Sequence, residues 1–88
     1  MPLHTVEVLE IARSFSERLG YRVRGEYLGG VGGGACELRG QKWLFLDLSM
    51  NATEQLGVVL DTLRSDPSLL LFTPPRCLRG LLDARKVV

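Results

Sequence analysis

Eighty-eight residues, 45% apolar and 24% charged, suit one small folded domain and exclude a disordered polar chain. Eleven Lys and Arg against ten Asp and Glu leave a net charge of +1, which gives no electrostatic footprint for duplex nucleic acid or an anionic membrane surface. No apolar run approaches the roughly 20 residues that span a bilayer, and Met1-Pro2-Leu3-His4-Thr5 lacks the basic start and apolar stretch of a leader, so a cytoplasmic location is expected.

A chain this short buries only roughly 60–65% of its unfolded surface, so its core is marginal. Seventeen leucines are a heavy load for such a body, and a surplus of that kind points to a subunit interface.

Thr5 is an N-cap candidate. Val8, Ala12, Phe15 and Leu19 recur at helical spacing, and Gly20 stands where a C′ glycine belongs. From Tyr21 the period changes to two, with Tyr21, Val23 and Tyr27 alternating with Arg22, Arg24 and Glu26 up to Leu28. The run Gly29-Gly30-Val31-Gly32-Gly33-Gly34 interrupts this strand. Alternation resumes over Ala35-Cys36-Glu37-Leu38, Arg39-Gly40-Gln41-Lys42 supplies a tight turn, and a further strand extends to Leu48.

Asn51-Ala52-Thr53-Glu54 has the form of a capping box. A helix with Leu56, Val59, Leu60 and Leu63 on one stripe then runs to about Arg64. Asp66-Pro67 opens one short turn, and Thr73-Pro74-Pro75 opens a short last helix with Leu78, Leu81 and Leu82. The expected architecture is a single α+β domain over residues 1–88. It has a three-stranded antiparallel sheet with helices on one face, in the order α-β-β-β-α followed by the C-terminal helix.

One face of such a sheet should be apolar and the other polar. The first two strands obey. In the third, Leu44, Leu46 and Leu48 take one parity, while Trp43 and Phe45 take the other and leave only Asp47 polar there. With the leucines toward the helices, Trp43 and Phe45 lie on the open face, and Arg22, Arg24, Glu37 and Arg39 are the expected neighbours. Aromatics ringed by arginine have the composition of an interface core with a polar rim. The alternative is that Leu69–Phe72 or the last helix folds over the aromatics and makes them core.

The glycine run satisfies the letters of the dinucleotide fingerprint at Gly30, Gly32 and Ala35, but a strand rather than a helix follows it. A nest of backbone amides at Gly30, Gly32, Gly33 and Gly34 could still hold a small anion or a nucleotide phosphate, helped by Arg22, Arg24 or Arg39. Otherwise the run is a flexible hairpin loop. By the apolar alternation Cys36 points with Leu38 into the core, where a thiol is inert, and Cys77 reads the same way on the last helix. His4 is the one histidine, and with two distant cysteines it assembles no ordinary zinc site, so no metal or cofactor is expected. Asp47 and Glu37 are expected to pair with neighbouring arginines or to be solvated. Arg76, Arg79, Arg85 and Lys86 make the tail locally basic, as a solvated helix face would.

The element order over the first sixty-odd residues resembles that of double-stranded-RNA-binding domains, in which two helices pack on one face of a three-stranded sheet. That family's lysine cluster at the start of the second helix is replaced here by Asn51-Ala52-Thr53-Glu54-Gln55, so its recognition residues do not carry over. Members of such folds that lack the basic cluster often serve as protein-binding modules, which is what the resemblance implies here. No catalytic residues are assigned. The expected function is a homodimeric, non-enzymatic interaction module with Trp43 and Phe45 as anchors, Arg22, Arg24 and Arg39 around them, and the leucine-rich C-terminal region contributing. Its partner is a second copy, sheet against sheet, or another protein. The glycine loop as an anion site is the alternative, and single-stranded nucleic acid stacked on the aromatic face is a third.

Overall fold

The computed structural model describes residues 3–83. The first helix, α1, covers Thr5–Arg18 and turns Leu9, Ala12 and Phe15 inward. Its N-cap is His4 rather than Thr5, and the Glu7 carboxylate accepts from the His4 amide at 3.1 Å. Ser16 is also buried, which it tolerates because its hydroxyl donates to the Ala12 carbonyl at 2.8 Å. Gly20, at φ 102°, turns the chain from α1 into the sheet.

Three strands follow, β1 (Tyr21–Glu26), β2 (Gly34–Leu38) and β3 (Gln41–Asp47). The sheet is mixed, which corrects the antiparallel meander expected from the sequence. The spatial order is β1-β3-β2, with β1 parallel to β3 and β2 antiparallel to it. The physical reason lies in the glycine run. It is no hairpin turn: it carries the chain across the end of the sheet, past the end of β3, to the far edge, a span of about 10 Å or two strand spacings. Only β2 and β3 form a hairpin, through Arg39-Gly40, where both residues have positive φ (52° and 79°) as a two-residue type I′ turn requires.

After β3, α2 spans Ala52–Ser65 and begins with the expected capping box. The Glu54 amide donates to Asn51 Oδ1 at 2.8 Å, and the Asn51 amide donates to Glu54 Oε1 at 3.0 Å. Two orphan amides are thereby satisfied. Asp66 caps a short 3₁₀ helix, Pro67–Leu71, by accepting from the Ser68 amide, and α3 covers Arg76–Asp83. Among the described residues, no helix is long and apolar enough to cross a membrane.

Both α1 and α2 lie on the same side of the sheet, against β1 and against β3 with β2 respectively. Leu44 and Leu46 face them and are shut away from solvent with Phe15, Val59 and Leu63. Truncating one such leucine to alanine costs about 2–5 kcal/mol, a large share of the stability of so small a domain. The last helix packs against α2 and α1, where Leu78 and Leu82 are buried, and the 3₁₀ helix packs against α2. Neither lies over the other face of the sheet, so among the described residues the alternative in which they cover the aromatics does not hold.

Candidate functional site

On that uncovered face, β3 presents Trp43 and Phe45, both half-buried. Their rings stack with centroids 5.7 Å apart and planes 12° from parallel. Register places Arg22 beside Trp43 and Arg24 beside Phe45, and the Arg22 guanidinium sits 5.6 Å from the centre of the indole. A cation–π contact this exposed is worth about 0.5–1 kcal/mol, enough to hold the arginine over the ring without burying its charge. Arg24 Nε donates to the Glu26 carboxylate at 2.6 Å, an exposed pair worth about 0–1 kcal/mol. The result is a flat aromatic pair with two guanidinium groups along one side.

On the other side of β3 the arrangement differs from the expected one. Cys36, and not Glu37, lies beside Trp43, and Cys36 is exposed. The Arg39-Gly40 turn makes Leu38 the partner of Gln41, and that register turns Cys36 and Leu38 onto the open face and Glu37 beside Lys42. Leu38 is accordingly 56% exposed. Arg39 stands in the turn itself, outside the strand register that sets residues beside the aromatics. Cys77 is half-buried, packed against the core from α3. Among the described residues, no group of three or more His, Cys, Asp or Glu could hold a metal ion.

The glycine run is folded around an acid of the chain's own. Asp47, the last residue of β3, is 1% exposed. Its Oδ1 accepts from the amides of Leu28 (3.0 Å) and Ser49 (2.9 Å), and its Oδ2 from those of Gly30 (2.8 Å) and Gly32 (3.0 Å). Burial on its own raises the carboxyl, but the donors from Gly32, Leu28 and Ser49 outweigh it and hold the group at about 2. The expected arginine pairing of Asp47 is thus replaced by backbone amides. Gly33 and Gly34 do not point at Asp47: Gly33 lies against the Phe45 carbonyl, and Gly34 begins β2 beside Phe45.

A second, half-buried acid fastens the opposite end of the sheet. Asp66 Oδ2 accepts from the Tyr21 hydroxyl at 2.6 Å and from Lys42 Nζ at 2.7 Å, and Lys42 also sits 4.3 Å from the centre of the Tyr21 ring. Desolvation raises the Asp66 carboxyl, yet Lys42, Tyr21 and the Ser68 amide bring it down to about 2, while burial and the same carboxylate push the Tyr21 phenol up. Both carboxyls therefore have folded-state values below the unfolded value of about 3.9. On acidification the unfolded chain takes up protons first, so the stability these groups supply is complete above about pH 4 and is lost as pH falls through about 2. Thermal melts should show a flat Tm from pH 5 to 8 and a steep fall between pH 4 and 2, shallower in Asp66→Asn.

The leucine-rich C-terminal part forms a groove of about 730 Å³ between the end of α2, the 3₁₀ helix and α3, with Leu69, Phe72 and Leu82 in its wall. Leu70, also in its wall, and Leu71 beside it are 89% and 81% exposed. Arg85 and Lys86 lie outside the described residues, so the basic tail reduces here to Arg76 and Arg79, both exposed on α3.

No family model matches this chain, no curated protein matches it, and no solved structure matches it. The resemblance to double-stranded-RNA-binding domains does not extend to the sheet, because the parallel β1–β3 pair departs from the antiparallel order expected with it.

Proposed function

We propose that this chain is a non-enzymatic protein-interaction module that self-associates, with the open sheet face as its contact surface. The observation that carries this is the stacked, half-exposed Trp43–Phe45 pair on a sheet face over which no described element lies. Aromatic rings and arginine are the side chains that dominate interface energetics, and Arg22 and Arg24 form one rim of this patch while Leu38 and Cys36 extend it on the other. The exposed Leu70 and Leu71 form a separate apolar surface for a further protein contact.

A small-anion site at Gly29–Gly34 is less well supported, because the amides of Gly30 and Gly32 already serve Asp47. Stacking of single-stranded nucleic acid on Trp43 gains little from a chain with a net charge of only +1.

Sedimentation velocity on the wild type and on a Trp43→Ala, Phe45→Ala double variant tests the proposal. The wild type is expected to form a dimer and the double variant a monomer with its circular dichroism spectrum intact. A wild type that stays monomeric at every attainable concentration contradicts it.

A further inference from the structure

We propose that the edge of β2 is where two copies join: their Gly34–Leu38 strands pair antiparallel about a two-fold axis through Cys36, fusing two sheets into one. This rests on the self-association proposed above and specifies how the open face takes part: the two sheets meet edge to edge, which sets Cys36 and its neighbour Trp43 beside the two-fold axis.

The turn decides which backbone groups are free. A two-residue turn makes its flanking residues, Leu38 and Gln41, a hydrogen-bonded pair, and such pairs alternate along an antiparallel ladder. Leu38, Cys36 and Gly34 therefore direct their amides and carbonyls toward β3, while those of Ala35 and Glu37 point away from the sheet. Pairing about Cys36 sets Ala35 of each copy opposite Glu37 of the other, so all four outward groups of each strand find partners. No like charges are opposed, because Glu37 meets alanine.

Side chains agree with the same register. Leu38, 56% exposed on the open face, falls opposite Gly34 of the second copy. Nothing lies within 4 Å of where a Gly34 side chain would project, and Phe45 is the next residue across the sheet. Leu38 of one copy thus fills a space that glycine leaves and covers the Phe45 of the other. Residues 35–38 of β2 are exposed on both faces, and the strand carries one charge and no proline. By contrast β1, the other edge, bears Arg22, Arg24 and Glu26, the kind of side chains that discourage edge pairing. Both Trp43–Phe45 pairs end on one continuous face. Contact between two five-residue strands is small, so the dimer should be a high-micromolar one.

Amide hydrogen exchange read by NMR, on the wild type at rising concentration, tests this without altering the fold. The amides of Ala35 and Glu37 should slow about tenfold or more as the dimer forms, while that of Cys36, already bonded to β3, should change little. In a Cys77→Ser chain, diamide should also couple Cys36 to its symmetry mate, accepting the two electrons and two protons lost as two thiols become one disulfide. The Cα atoms of a facing, non-hydrogen-bonded pair stand about 4.5 Å apart, within disulfide reach. A dimer in which Ala35 and Glu37 exchange at concentration-independent rates and Cys36 does not couple overturns the lateral geometry but leaves contact through the sheet face standing. A chain monomeric throughout removes both.

Discussion

Asp47→Asn is expected to lower Tm on the order of 10 °C or more and to release the amides of Leu28, Gly30 and Gly32 to exchange. The substitution keeps the shape of the side chain. What changes is that a carboxylate with two acceptor oxygens becomes an amide whose nitrogen is itself a donor. Gly30 and Gly32 both donate to Oδ2, and Leu28 and Ser49 to Oδ1, so whichever way the asparagine turns, two amides meet an NH2 group. Leaving buried donors unpaired is costlier than making them is favourable, and one kcal/mol moves Tm by roughly 4–8 °C in a domain of this size. Because the loop carries the chain from β1 to β2, the damage should spread to the β2 edge. An Asp47 that merely pairs with surface arginines would leave Tm within about 2 °C on this change.

Gly33→Ala is the second large effect. At φ 78° a side chain is disfavoured in any case, and a Cβ there would overlap the carbonyl oxygen of Phe45. That oxygen belongs to the central strand and cannot move aside as a side-chain tip would, so a loss of about 2–4 kcal/mol is expected. Gly29, at φ 69° with nothing within 4 Å of its would-be Cβ, sets the scale. Alanine there should cost about 1–2 kcal/mol, the conformational penalty alone. Urea unfolding of the two variants side by side separates the terms. Equal losses would mean that Gly33 is needed for its φ and not for the closeness of the strand.

How much of this the sequence shows depends on the range of the interaction. The α2 capping box is legible because Asn51 and Glu54 are three residues apart and satisfy each other. The parity of β3 is legible too, since Leu44 and Leu46 alternate with aromatics in a strand strongly apolar on one side. In β2 the same rule misleads. Ala35-Cys36-Glu37-Leu38 is an edge strand exposed on both faces, so apolarity does not choose its orientation and the turn does. Arg39 is a non-glycine residue at positive φ, which the turn's letters do not announce.

Strand order and the role of Asp47 are connected, and both are hidden for one reason. The bonds that settle them join residues 15 to 19 positions apart, and no local pattern reports them. A signal was nonetheless present. A run of glycines at positive φ creates a concentration of amide donors that calls for an anion, and the one polar residue of β3 stands where the chain must cross it. Looking within the chain for that anion before looking for a ligand would have found Asp47. The exposure of Trp43 and Phe45, in turn, depends on α3 packing against α1 and α2, a choice between two apolar surfaces that the leucine spacing of α3 leaves undecided.

Sedimentation velocity of the wild type against the Trp43→Ala, Phe45→Ala variant, with quenching of Trp43 followed over the same concentrations, tests the central claim most directly. Trp43 is the chain's one tryptophan, so its emission reports the sheet face alone. The wild type should pass from monomer to dimer as its indole becomes less accessible to acrylamide, while the variant remains a folded monomer. A wild type that stays monomeric, with Trp43 quenched equally at every concentration, would contradict the assignment of this face as a contact surface.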